Sequence, residues 1–205
     1  MKKLVMSALA LAAMAAFADK VALKIVFPPP HSSGTPKEIK SDNLEPDPGP
    51  GKFRPPIMVE PEYAKKLTTE DTKVTTSEEA VTGENEYVVD GDKTPDATCM
   101  LQLPGGVQWV QLDLGAEHEI TAVCVWHDQG DERVYKDVIV QISNDEKFLK
   151  DVTTIFNNDH DDSAKLGAKG TDKEYRERNE GRPIDAKLVT GRYVRCYSNG
   201  STSNR

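Results

Sequence analysis

Between Trp109 and Gly115 the chain reads Trp-Val-Gln-Leu-Asp-Leu-Gly, and Val110, Leu112 and Leu114 alternate with Trp109, Gln111 and Asp113. A two-residue period of this kind belongs to a strand with one face buried, because successive side chains of a strand point to opposite sides. Gly115 ends the run, since glycine enters the positive-φ turn conformations that other residues resist. Further strand-like runs follow at Ile120–His127, Val138–Ser143, Val152–Phe156 and Tyr193–Tyr197, and Lys73–Ser77 is a β-branched entering strand. Polar loops separate them, among them Asp128–Arg133, Asn144–Lys147 and the long irregular stretch Asn157–Arg182. No helix-period pattern exceeds two turns after residue 80. Many short strands with turns between them predict an all-β antiparallel sandwich or barrel.

What precedes these strands is of a different character. Lys2 and Lys3, then an apolar run from Leu4 to Phe17, then Ala16-Phe17-Ala18 before Asp19 read as a bacterial-type signal peptide over residues 1–18. The apolar run is short for a membrane span, which needs about 20 residues. The expected localisation is therefore exported: periplasmic, cell-surface or secreted. Residues 19–62 hold ten of the thirteen prolines between Pro28 and Pro61, a density that forbids ladder or helix and predicts an extended, semi-stiff linker or N-terminal extension. A short apolar knot, Val21 to Phe27, precedes it, and Phe53 to Val59 is apolar enough to pack on a domain's outside. The domain proper is expected over residues 63–205, a span typical of one domain.

The formal net charge of −8 argues against a nucleic-acid partner, which needs lysines and arginines to replace released counterions, and against adhesion to anionic membranes. Cys99, Cys124 and Cys196 show no framework spacing and no Cys-x-x-Cys pair; buried thiols are the expectation, one disulfide plus a free thiol the alternative. Neither a nucleophile elbow, a His-Glu-x-x-His motif nor a phosphate-cradling glycine loop is present, so a catalytic role is not expected from this stretch of sequence.

The order Asp90-Gly-Asp92, Trp109-Val-Gln-Leu-Asp-Leu-Gly115, Ile120-Thr-Ala-Val123, Val138-Ile-Val-Gln-Ile-Ser143 with Asn144-Asp145, and Arg192-Tyr-Val-Arg195 resembles discoidin domains. These are also called coagulation-factor (F5/8) type C domains, within the galactose-binding-like superfamily of carbohydrate-binding modules. The resemblance covers residues 70–205. It implies a discoidin-type jelly roll with ligand-binding loops at one end, and it aligns Arg192–Arg195 with the strand before the last, so that the closing strand is expected to be missing and an edge left open. It also implies a structural Ca2+, which carries over to Asp90, Asp92 and Thr94; read without the resemblance, the same residues form a plain Asp-Gly turn.

If the strands at 120–127, 136–143 and 152–156 run antiparallel, His127 and the loop beginning at Asn157 lie at the same end. Trp126, His127, Asp128, Arg133, Asn158, Asp159 and His160 are then the candidate ligand-binding residues, for imidazole, carboxylate, guanidinium and amide groups fix sugar hydroxyls beside an aromatic ring. Trp126 reads equally well as sheet interior, and charged loops as solvated surface. The expected function is a non-catalytic module binding a carbohydrate or glycoconjugate. The alternatives are a structural or adhesive domain with a protein partner, and the N-terminal module of a longer exported enzyme.

Overall fold

The computed structural model describes residues 19–30, 39, 41–64, 72–94 and 96–202. The expected signal peptide, residues 1–18, lies outside the described residues. Among the described residues there are seven strands: β1 (Val21–Ala22), β2 (Met58–Val59), β3 (Lys73–Thr76), β4 (Gln108–Val125), β5 (Ile139–Ser143), β6 (Thr153–Asn157) and β7 (Arg182–Ser198). β1 and β2 form a two-stranded antiparallel sheet, and the others an antiparallel sheet in the order β3-β4-β7-β5-β6. Three short 3-10 turns, Pro61–Tyr63, Asn85–Val88 and Ala97–Cys99, are the helical content of the described residues.

The expected strand at Trp109 and the one at Ile120 are halves of β4. Its ladder with β7 is interrupted twice. Between the pairs Asp113↔Tyr193 and His118↔Gly191 the extra residues lie on β4, around Gly115 at φ 79°. Between Ile120↔Val189 and Ala122↔Asp185 they lie on β7, where Lys187 and Leu188 take φ of 52° and 61°. Bulges of this kind bend a strand and increase its twist. The result is a sandwich made by folding one long ribbon over. Arg182, at the start of β7, places its guanidinium 4.9 Å from the ring centre of Phe156. Phe156 pairs with Val140, and Val140 with Cys196 near the other end of the same strand. A straight strand would hold Arg182 and Cys196 roughly 45 Å apart.

The core lies between the two halves. Val138, Val140, Ile142, Phe156 and Val194 from one side pack with Ile120, Ile184 and Ala186 from the other, with Tyr175 from the long loop. Leu112, Leu114, Val123 and Val125 close the cluster, as the period-two pattern requires. Cys124 and Cys196 are free thiols, as is Cys99; burial pushes the first up to about 11 and the second to about 12. The open edge expected beside Tyr193–Tyr197 is not there: β7 is an interior strand with β4 on one side and β5 on the other, and the sheet's edges are β3 and β6.

The described parts of the proline-rich stretch lie against the sandwich. Leu44 bridges Glu174 in parallel, with Glu45 N–H donating to the Glu174 carbonyl (2.8 Å) and Glu174 N–H to that of Asn43 (3.1 Å). Ser41 donates to the Glu174 carboxylate, and Asn179 donates through its amide to the Pro28 carbonyl (2.9 Å). Phe27 and Phe53 meet at a ring separation of 5.3 Å.

Candidate functional site

Residues 126–138, 157–181 and 199–202 converge at one end of the sandwich. The segment 133–138 ties them together: Val134 bridges Arg176, Tyr135 bridges Ser201, and the Val138 carbonyl accepts from the Asn158 backbone N–H. His127 and the loop after Asn157 thus share one end, and the seven candidate residues fall into two groups along this segment.

The first group holds Trp126, His127, Asp128 and Arg133. Trp126 donates from Nε1 to the Asn179 carbonyl (3.1 Å); Lys93 Nζ lies 5.1 Å from its ring centre. Gly181, at φ 59°, packs so closely that a Cβ there would meet the Trp126 ring at 2.8 Å. Trp126 is therefore pinned in place by the long loop. His127 stacks on Tyr135, ring centres 4.1 Å apart and 16° from parallel, and its Nδ1 lies 3.1 Å from Glu177 Oε2. Burial pushes the Tyr135 phenol well above its ordinary range. Asp128 accepts from Gly130 N–H (2.9 Å) and pairs with Arg133 Nη1 at 3.1 Å, while Arg133 Nε reaches Asp131 at 2.5 Å. Asp128 and Arg133 stay partly open to solvent, with side-chain exposures of 29 % and 19 %.

The second group holds Asn158, Asp159 and His160. Asn158 and Asp159 are both fully enclosed, at 0 % exposure. Asn158 Oδ1 accepts from Val138 N–H (2.7 Å), and Asp159 accepts from Ser163 N–H (2.9 Å) and Ala164 N–H (3.1 Å). These bonds hold the loop's shape from beneath, while Asn158 Nδ2 is buried without a hydrogen-bond partner. His160 is exposed at the loop's surface. Asp137, at φ 52°, accepts from Ser163 Oγ and from Asn199 Nδ2, both at 2.7 Å. Among the described residues Asp137, Asp159 and Asp161 form a three-acid group with oxygens within 4.8 Å of one another. Burial raises Asp159 above the usual carboxylate value, whereas the Ser163 hydrogen bond lowers Asp161.

The residues expected to hold calcium lie elsewhere, on the exposed turn before the Ala97–Cys99 3-10 turn. Asp90 Oδ1 accepts from Asp92 N–H and Asp92 Oδ1 from Thr94 N–H, each at 2.8 Å. The Thr94 hydroxyl, then its N–H, holds the Asp92 carboxyl below its ordinary value. Two carboxylates and a hydroxyl on one turn are three of the six to eight oxygens the ion takes; carbonyls and water would have to supply the others. Lys93 of this turn is the group over Trp126, so the turn adjoins the loop end.

Sequence reasoning named Tyr135 with Trp126 as the nearest rings to this end, but missed Glu177, Asn179 and Lys93 as site residues. Glu177 and Asn179 sit in the stretch read as irregular, and only the spacing Glu174-x-x-Glu177-x-x-Glu180 gave a sign of order there.

An antiparallel sandwich that presents the polar side chains of three loops at one end is, as a class, a β-sandwich binding module. The pattern of the NedA-like, galactose-binding domain of F5/8 type C modules matches residues 87–196, more than half of the chain, and the chain belongs to this family. It is a non-catalytic binding module. Among solved structures it is similar to the CBM32 module of AlyQ in complex with 4,5-unsaturated mannuronic acid, at 20% identity, covering 64% of this chain and 84% of that one, TM-score 0.47. It is also similar to CpGH89CBM32-5 from Clostridium perfringens in complex with GalNAc-beta-1,3-galactose, at 12% identity, covering 67% and 91%, TM-score 0.47. A third is chitosan-binding module 1 of a chitosanase/glucanase from Paenibacillus sp. IK-5, at 17% identity, covering 67% and 89%, TM-score 0.44. No curated protein sequence matches it. No helix among the described residues is long and apolar enough to cross a membrane.

Proposed function

We propose that this chain is an exported module that holds a carbohydrate or glycoconjugate at the loop end of its sandwich. The observation that carries the reading is the half-open group of Asp128 and Arg133 beside the stacked His127 and Tyr135. A carboxylate and a guanidinium hydrogen-bond sugar hydroxyls from opposite sides, one accepting and one donating, next to ring faces that pack on the apolar side of a pyranose. Asp128, Arg133 and the exposed His160 are the contact residues. Trp126 and His127 form the wall, and Asn158 and Asp159 brace the loop that carries His160. The family's description as a galactose-binding domain supports the ligand class.

Export is supported by Lys2, Lys3 and the apolar run to Phe17. A Ca2+ ion on the Asp90–Thr94 turn completes the reading, supported by oxygen donors on alternate residues.

The test is a glycan array with wild type, Arg133→Ala and His160→Ala. Binding to one glycan class, weakened at least tenfold in both variants, is expected. Silence on every glycan, with a protein recovered by pull-down, overturns this reading in favour of an adhesive domain.

A further inference from the structure

The long loop between β6 and β7 carries three glutamates three residues apart, Glu174, Glu177 and Glu180, which are 2 %, 1 % and 1 % exposed. A carboxylate out of water needs a partner, and each has a different one. Glu174 is held by Lys136 (2.7 Å), Glu177 faces His127, and Glu180 is held by Arg54 of the proline-rich arm. Arg54 takes both oxygens of Glu180, Oε2 through its backbone N–H at 3.0 Å and Oε1 through Nη1 at 2.5 Å. It also donates to the Gly181 carbonyl (3.2 Å) and to Glu45, whose other oxygen is 2.9 Å from Arg182. The alternating chain Arg182–Glu45–Arg54–Glu180 lies over Tyr175, whose ring centre is 5.1 Å from one guanidinium and 5.4 Å from the other.

The residues on either side of this clamp reach the loop end. Asn179, bonded to the arm at Pro28, gives its carbonyl to Trp126, and Gly181 lies against the Trp126 ring. Glu177 meets His127. We infer that the proline-rich arm is a working part of the binding module: Arg54 is a positioning residue that, through Glu180 and the segment 177–181, fixes Trp126 and His127 without touching either.

This inference deepens the carbohydrate reading and rests on it for its ligand readout. The geometry explains why an arginine is used. A guanidinium serves two carboxylates and a carbonyl in one plane, which a lysine's single ammonium does not reproduce. One route from Arg54 to the two rings runs through the 177–181 segment, and a second through Glu45 and Arg182, which pairs with Val125 beside Trp126.

The experiment uses the full chain in a Trp109→Phe background, so that tryptophan emission reports Trp126. Arg54→Ala, the milder Glu45→Gln, and Ile142→Val as a core control are compared by Tm, amide hydrogen exchange over 174–181, Trp126 emission and retention on immobilised galactose. Exchange over 174–181 at least tenfold faster, a red-shifted emission and lost retention are expected for Arg54→Ala, and smaller changes in the same direction for Glu45→Gln. The control lowers Tm and leaves the other three readings at wild-type values. Unchanged emission and exchange in both arm variants overturns the inference, as does a control that reproduces all three changes. Should the wild type itself fail to bind galactose, emission and exchange still decide the clamp, and only the ligand reading is at fault.

Discussion

Arg192 and Asp113 face each other across the central pair of strands, joined by two hydrogen bonds of 2.7 Å and 2.8 Å from one guanidinium to one carboxylate. The Arg192 hydrogen bond holds the Asp113 carboxyl below its ordinary value of 3.8. A depressed folded-state value means stability that is fully present above the unfolded value and is lost as pH falls through the folded one. Asp113→Asn should therefore be closest to wild type in strong acid, fall behind it as pH rises toward the ordinary carboxylate value of 3.8, and stay behind by a constant margin above it. Tm measured from pH 2.5 to 7 checks this. The difference should shrink in high salt, since Arg192 is well exposed.

Gly181 packs the long loop tightly against Trp126. A methyl group there would meet the Val125 carbonyl at 2.6 Å and the Trp126 ring at 2.8 Å, at a φ of 59° that side chains resist. Gly181→Ala should cost about 2–3 kcal/mol through overpacking and backbone strain. Urea unfolding gives the magnitude, and Trp126 emission shows whether the ring has moved.

Asn158 supplies the acceptor for a buried backbone N–H at Val138. Asn158→Ala leaves that donor unsatisfied and should destabilise the fold by about 1–3 kcal/mol. Asn158→Asp restores an acceptor at the cost of a buried charge and should also be less stable than wild type at neutral pH. Chemical denaturation of the three proteins orders them.

Burial pushes the thiols of Cys124 and Cys196 up to about 11 and about 12, so almost none of either is thiolate at pH 8. The thiolate is the reactive form. Iodoacetamide on the native protein at pH 8 should modify both slowly, and quickly once urea is added; peptide mass spectrometry reads each site. Tm should be the same with and without reductant, because all three cysteines are free thiols.

The Asp90–Thr94 turn makes a separate prediction. If the ion is held there, free Ca2+ at a hundredfold excess over its Kd stabilises the fold by about 2.7 kcal/mol. Chelation should then lower Tm, and Asp92→Ala should abolish the response. A Tm unmoved by chelator disposes of the ion.

The parts of the fold legible in the sequence are those where burial of one face leaves a period of two: Val110, Leu112 and Leu114, and Val138, Val140 and Ile142. The first half of β7 was not legible, because Pro183 and the bulged pair Lys187 and Leu188 break the alternation before the recognisable Tyr193. The division of strands at Gly115 was half right. Glycine does interrupt the ladder there, but beyond the bulge the chain continues along the same partner strand and does not start a new one. Of the site, the shared end of His127 and Asn158 followed from counting strand directions. Burial of Glu177 and Glu180 did not, since acidic residues are expected on the surface and their partners are more than forty positions away. Prolines likewise announced an extended arm without announcing what it lies on.

That the sheet's innermost strand is the seventh described has a consequence for how the molecule is made. β4 and β5 do not pair with each other; β7 lies between them and supplies the ladder to both. The pairs β1–β2, β3–β4 and β5–β6 can form earlier, but a ribosome releases the chain through β7 before the ladders that join the two halves of the ribbon can lock. Joining the halves becomes one late, slow event dominated by distant contacts. A nascent chain halted before Arg182 should lack the ladders that join the two halves of the ribbon and remain protease-sensitive across β4 and β5.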